Sequence, residues 1–145
     1  MKIRQATLGD LEEIAILFDG YRQFYKQTSD IKLAQNFLRE RIINNESIIF
    51  MCFEGEKAVG FTQLYPSFSS VSAQRLWILN DLFVVAEMRG KGYGEAILLF
   101  VQGFCKGMDA KGLDLQTAID NPAQHLYEKL GWTKDEAFLT YNWRI

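Results

Sequence analysis

Apolar positions along this chain alternate between three- and four-residue spacing, which marks helices, and runs with a two-residue period or continuous burial, which mark strands. The pattern predicts elements in the order β-α-α-β-β-β-α-β-α-β. Ile3 to Ala6 suits a short first strand, and Thr7 with Asp10 is a helix-start signature for an amphipathic segment running to about Gln27. Ser29 can cap a second helix, where Ala34, Phe37, Leu38, Arg41 and Ile42 keep helical spacing up to Asn44-Asn45. Ser47 to Glu54 and Ala58 to Tyr65 are strands joined by a Glu-Gly-Glu-Lys turn, a loop short enough to predict an antiparallel hairpin. Phe68-Ser69-Ser70 begins a loop. Arg75 to Val85 is the next strand, Gly92 to about Met108 a long helix, and Leu113 to Ala118 another strand. A helix led by Asn121 and a last strand from Ala137 to Trp143 complete the chain.

Composition narrows the class. With 145 residues, 48% hydrophobic and 23% charged, and no repeat, linker or low-complexity stretch, residues 1–145 are expected to form one domain around one core. A chain of this size buries about 68–70% of its unfolded surface, enough for an enzyme fold without staples. The net charge of −2 and the scatter of basic residues, except around Arg89 and Lys91, argue against a nucleic-acid or membrane surface. Cys52 and Cys105 have no ligand-like neighbours, so no metal is expected. They fit a reduced, cytoplasmic protein. The first residues lack the apolar core of a signal peptide, and no run approaches the roughly 18 apolar residues of a membrane span.

The chemistry concentrates in Leu82-Phe83-Val84-Val85-Ala86-Glu87-Met88-Arg89-Gly90-Lys91-Gly92-Tyr93-Gly94, which passes from a buried strand through a glycine-spaced turn into a helix. Such a turn lets the backbone approach an anion, and the N–H groups opening the helix point at it, with the helix dipole adding roughly 0.3–1 kcal/mol. A P-loop is excluded because Lys91 is followed by Gly92 rather than Ser or Thr. A dinucleotide fingerprint is excluded by the Gly-x-Gly-x-Gly spacing and its late position in the chain. The pattern Arg-x-x-Gly-x-Gly, filled by Arg89, Gly92 and Gly94, resembles the acetyl-CoA pyrophosphate loop of the GNAT superfamily of N-acetyltransferases. Downstream, Asn121-Pro122-Ala123-Gln124-His125-Leu126-Tyr127-Glu128-Lys129-Leu130-Gly131-Trp132 is similar to the second motif of that family, an Asn-led helix with Tyr four residues before Gly.

The resemblance implies an α/β (α+β) GNAT fold, with a mixed central sheet of about six to seven strands and helices on both faces. It implies direct transfer of an acetyl group from acetyl-CoA, used as co-substrate, to a primary amine. Backbone groups of Leu82, Phe83 and Val84 would hold the thioester carbonyl and pantetheine, with Asn121 and Ala123 on the pantetheine arm. Residues Arg89, Gly90, Lys91, Gly92, Tyr93, Gly94 and Glu95 would hold the pyrophosphate. Tyr127 would protonate the departing thiolate. A phenol near pKa 10 gives its proton to a thiol near 8.5 uphill by roughly 2 kcal/mol, so donation is plausible as the C–S bond breaks. An alkyl ammonium must lose a proton before attack, which makes carboxylates near the cofactor the candidate bases. Asp81, on the strand just before the phosphate loop and beside the place where the family holds the thioester, is the first of these; the preceding position, where many small-amine members carry Glu, is Asn80, so their base is not copied directly. Tyr21, Tyr25 and Trp77, beside that carboxylate, would suit an organic cation through cation–π attraction. The leading acceptor class is a small primary amine, including diamines, polyamines and amino acids. A protein N-terminus or lysine is the enzymatic alternative, and a non-turnover acyl-CoA-binding module the other. The apolar terminal strand offers a surface for a homodimer.

Overall fold

The computed structural model describes residues 1–145. Its strands are β1 (Lys2–Gln5), β2 (Ile48–Glu54), β3 (Lys57–Ser69), β4 (Gln74–Val84) and β5 (Gly112–Asp114), and its helices α1 (Leu11–Phe24), α2 (Ile31–Ile43), α3 (Tyr93–Gly107) and α4 (Gln124–Lys129). One mixed sheet has the order β1-β2-β3-β4-β5, antiparallel throughout except for the parallel β4–β5 pair. Helices α1 and α2 cover one face through Leu11, Ile14, Phe18 and Leu38, packed on Met51 and Phe61. Helix α3 covers the other through Leu98, Val101 and Cys105, packed on Phe50, Leu64 and Leu79.

The local signals mostly act as read. Thr7 and Asp10 close a capping box, with the Thr7 N–H donating to Asp10 Oδ2 at 2.8 Å, over a 3-10 turn that leads into α1. Helix α1 stops at Phe24 rather than near Gln27. Helix α2 is capped by Asp30, whose side chain accepts from the Leu33 N–H, and not by Ser29. Ser29 instead donates its hydroxyl to Asp19 at 2.6 Å, and the Asp30 N–H donates to the same carboxylate at 2.7 Å. Burial works against the Asp19 charge, but these bonds and one from Gln23 outweigh it and hold the carboxyl below its ordinary range. The α1–α2 connection is thereby tied to α1 at Asp19, two residues before Tyr21.

Five strands form where six to seven were expected. Strand β5 pairs only over Gly112 to Asp114, opposite Leu76 to Ile78, and the chain after it leaves the ladder. The terminal segment, expected as a strand from Ala137 to Trp143, has no strand partner, and Phe138, Leu139, Tyr141 and Trp143 are 81–88% exposed. A strand needs a neighbouring edge to satisfy its backbone, and this segment is paired to none.

A bulge in β4 decides the geometry of the site. Gln63 of β3 pairs with Asp81, yet the next residue, Leu64, pairs with Leu79, so Asn80 is the extra residue. It shifts the face of everything before it. Trp77 and Leu79 point to the α3 side, while Phe83 points to α1. The bulge also bends β4 away from the line of β5, and the two strands part beyond Ile78 and Asp114.

Candidate active site

The split between β4 and the chain following β5 opens a cavity of about 370 Å³. Leu79, Asn80, Leu82, Phe83 and Val84 form one wall, and Leu115, Gln116 and Thr117 the other. Tyr21, Phe24 and Tyr25 of α1 close one end; Asn121, Pro122, Ala123 and Tyr127 close another. Since the Val85 N–H donates to Val59 at 2.9 Å, alternation along β4 turns the backbone of Val84 and Leu82 into the split. The backbone of Phe83 faces β3, and its ring meets Tyr21 and Phe61. The Val84 carbonyl accepts from Arg89 Nε at 2.9 Å, and the Arg89 guanidinium lies over the Phe24 and Phe83 rings.

Beside the split, the start of α3 presents a row of free donors. The first backbone N–H of this region with a protein acceptor is that of Ala96, which donates to Gly92; those of Gly90, Lys91, Gly92, Tyr93, Gly94 and Glu95 donate to no protein group. The turn that aligns them needs glycine, with φ of 73° at Gly90 and 86° at Gly92. A Cβ built at Gly92 meets no protein atom within 4 Å, so the space over these donors is open. Side chains are spent elsewhere. Tyr93 is buried and donates its hydroxyl to Glu54 at 2.6 Å, which pushes its pKa up to about 12, and Glu95 pairs with Lys129 at 3.0 Å. The turn thus offers an anion its free backbone donors and, of the side chains, Lys91, which is exposed with Met88 Sδ at 3.8 Å as its one contact.

The Asn121 side chain is committed to its own turn, accepting from the Ala123 N–H at 3.0 Å and donating to Thr117 at 2.9 Å. The regular helix accordingly starts later than Asn121 suggested, at Gln124, and ends before Gly131 at φ 89°. Tyr127 faces the cavity half-buried, with burial and the nearby Tyr25 raising its pKa, and its hydroxyl has no protein partner. His125 is exposed and outside the cavity.

Two expected contacts are not brought to the cavity. Trp77 is 4% exposed on the opposite face of the sheet, packed edge-on against Phe104 of α3 at 5.7 Å, so the bulge separates it from Tyr21 and Tyr25. Asp81 is 1% exposed behind the wall. Its Oδ2 accepts from Gln63 Nε2 at 2.6 Å and its Oδ1 from Asn80 Nδ2 at 2.7 Å, while Ser47 donates to Gln63 at 2.8 Å. Burial raises the Asp81 pKa against the pull of those two bonds. Asp81 reaches the cavity only through Asn80, whose carbonyl accepts from the Tyr21 hydroxyl at 3.2 Å. Its charge also helps push Tyr65 up to about 12, after burial. Sequence reasoning missed Asn80 and Thr117 as wall residues, because a bulge register and a strand split are long-range facts.

Comparison with known proteins places this geometry. The profile of the Acetyltransferase (GNAT) family matches residues 11–132. The chain belongs to the GNAT family. The uncharacterised N-acetyltransferase YhfO of Bacillus subtilis (strain 168) is 47% identical over 142 residues, covering 97% of this chain and 95% of that one. The crystal structure of a probable acetyltransferase superposes with a TM-score of 0.94 at 38% identity, covering 100% of this chain and 98% of its own. A ribosomal-protein-alanine N-acetyltransferase from Brucella melitensis biovar Abortus 2308 superposes at 0.83 with 19% identity and full coverage of both chains, a likeness that shows the fold alone. Family and relatives agree on an acyltransferase enzyme with the single-domain GNAT fold, whose sheet here has five strands. No helix is long and apolar enough to cross a membrane.

Proposed function

We propose that this GNAT enzyme transfers an acetyl group from acetyl-CoA directly to the primary amine of a small molecule, in the cytoplasm and without a metal. The observation that carries the reading is the run of six backbone N–H groups, Gly90 to Glu95, without a protein acceptor beside a split strand edge. Acetyl-CoA supplies the activated acyl group. The free donors hold its pyrophosphate, and the inward backbone groups of Leu82 and Val84 take its amide-bearing arm as a neighbouring strand would be taken. Positioning two substrates in one cavity supplies most of the acceleration expected of such a site.

Tyr127 remains a neutral phenol because burial disfavours its anion, so it can donate to sulfur as charge develops there. Buried thiols exclude the alternative of a covalent cysteine intermediate. Cys52 and Cys105 lie in the core, outside the cavity, with pKa values pushed up by burial. The acceptor enters on the side of Tyr21 and Tyr25, whose rings meet edge-on at 5.0 Å. Asp81, at one remove through Asn80, makes that end favourable for a cation on arrival. Water carries the proton away as the amine attacks, and the rate should rise with pH over the range where the bound amine deprotonates.

Asp81→Asn tests the acceptor reading. Gln63 can turn its amide to accept from Asn at 81 while the Ser47 hydroxyl turns to accept from Gln63, so the network survives without the charge. The variant should raise KM for diamines far more than for a neutral amine such as an aniline. An equal loss of kcat with every acceptor would make Asp81 a support of the strand, and no change would move the amine site elsewhere. The pH dependence of stability provides a second readout. A carboxyl whose pKa is raised by folding contributes stability that is full at acid pH and lost as pH rises through the raised value. Thermal melts should therefore show Asp81→Asn lacking that fall and gaining on the wild type toward neutral pH.

A further inference from the structure

We infer that Gln63 is a positioning residue for the acceptor: oriented by Ser47, it fixes the Asp81 carboxyl against Asn80 and so holds the bulge that presents the Asn80 carbonyl to Tyr21 at the cavity. The inference rests on the acceptor reading above and names the group that keeps that end of the site in place. A bulge leaves one residue outside the ladder, and its alternative is a slip that returns Asn80 to the pairing and turns the residues before it to the other face. Leu76, Trp77, Ile78 and Leu79 are apolar at every position, so the hydrophobic pattern alone specifies that register weakly. Side chains specify it instead. Thr62 Oγ1 donates to the Asp81 carbonyl at 2.8 Å, Gln63 Nε2 donates to Asp81 Oδ2 at 2.6 Å, and Asn80 Nδ2 donates to Asp81 Oδ1 at 2.7 Å.

Of the two amides on this carboxyl, Asn80 is exposed at the cavity and Gln63 is fully buried, so Gln63 is the fixed member. The Ser47 hydroxyl donates to Gln63 Oε1 at 2.8 Å, which leaves the amide NH2 to face Asp81. Asp81 makes no ion pair with any Arg or Lys of the chain. The titratable groups facing it are phenols, Tyr21 of α1 and Tyr65 of β3, each with its pKa pushed up by burial first and by Asp81 next. Arg41 of α2 acts on Tyr65 and is itself paired with Glu40 and Glu46. With no cation to hold it, the carboxyl keeps its place through hydrogen-bond geometry. Without the Gln63 amide, Asp81 and Asn80 would hold each other but nothing in the core would hold their side chains, and the Asn80 carbonyl would no longer be set for the Tyr21 hydroxyl.

The test compares Gln63→Met and Gln63→Glu with the wild type in the full chain, each fold followed by circular dichroism. Methionine keeps the length of the side chain without its amide. It should raise KM for a diamine at least about tenfold and leave KM for acetyl-CoA within a few-fold, since the donor row of residues 90–95 lies on another element. Gln63→Glu keeps the shape and the bond from Ser47, and its carboxyl can donate to Asp81 only while the pair retains a shared proton. Its diamine KM should therefore match the wild type at acid pH and climb as pH rises, a dependence that a packing role for Gln63 would not produce, and it carries the test if Gln63→Met does not fold. Crystals of either variant above neutral pH should show the Tyr21 hydroxyl parted from the Asn80 carbonyl. An equal loss with both substrates, a Gln63→Glu profile parallel to the wild type, or variant structures with the bulge and the Tyr21 contact intact would each overturn the inference. The structures decide without turnover, so a wild type inactive with every amine would count against the acceptor reading and leave this result readable.

Discussion

Replacing Gly92 by Val is expected to weaken acetyl-CoA binding by at least about tenfold, or about 1.4 kcal/mol, while leaving a folded protein. Both parts follow from one geometry. The Cβ and its methyls would project into the open space above the N–H groups of residues 90–95, where a phosphate has to approach the backbone. The Cβ itself meets no protein atom within 4 Å, so it displaces nothing in the core. A φ of 86° is unfavourable for a branched residue, at a cost on the order of 1–3 kcal/mol, and a melting curve will register it. Gly55→Val separates strain from site, because Gly55 also has a positive φ and open surroundings but lies in the β2–β3 turn. Calorimetry should find CoA affinity kept in Gly55→Val and lost in Gly92→Val. Unchanged affinity in a folded Gly92→Val would remove the pyrophosphate from this turn.

Tyr127→Phe is expected to lower kcat by at least about tenfold, within the ~10²–10⁴-fold range of a positioned acid, and to leave acetyl-CoA affinity within a few-fold. The hydroxyl makes no bond inside the protein, so its removal costs no internal contact, and the ring keeps its packing near Trp132. Its loss is felt when the thiolate departs. Steady-state kinetics with saturating acetyl-CoA would detect this, and an equal kcat in both proteins would reduce Tyr127 to packing. A change confined to KM would assign it to substrate positioning.

These expectations draw on residues whose roles were local enough to appear in the sequence. The donor row depends on glycine spacing within one turn, Tyr127 on its place in one short helix, and the capping box on Thr7 and Asp10 alone. The parts that were not legible depend on strand partners far along the chain. In a regular strand Trp77 and Asp81, four residues apart, share a face, as their placement together beside Tyr21 by the family resemblance would require. The extra residue Asn80 breaks the alternation, sending Trp77 to the α3 face and burying Asp81 toward α1. Strand β5 ends early for the same cause, since the bulge in β4 opens the split that forms the cavity. The terminal segment has the period of a strand without a partner in its own copy, and periodicity alone does not supply one.

Turnover is distinguished from CoA binding alone by free thiol release from acetyl-CoA, followed over a panel of diamines, polyamines, amino acids, anilines and lysine peptides. Thiol release should depend on a small cationic amine, match N-acetylated product in amount, and fall in Tyr127→Phe. Tight CoA binding with no amine-dependent thiol from any acceptor would contradict the proposed transfer.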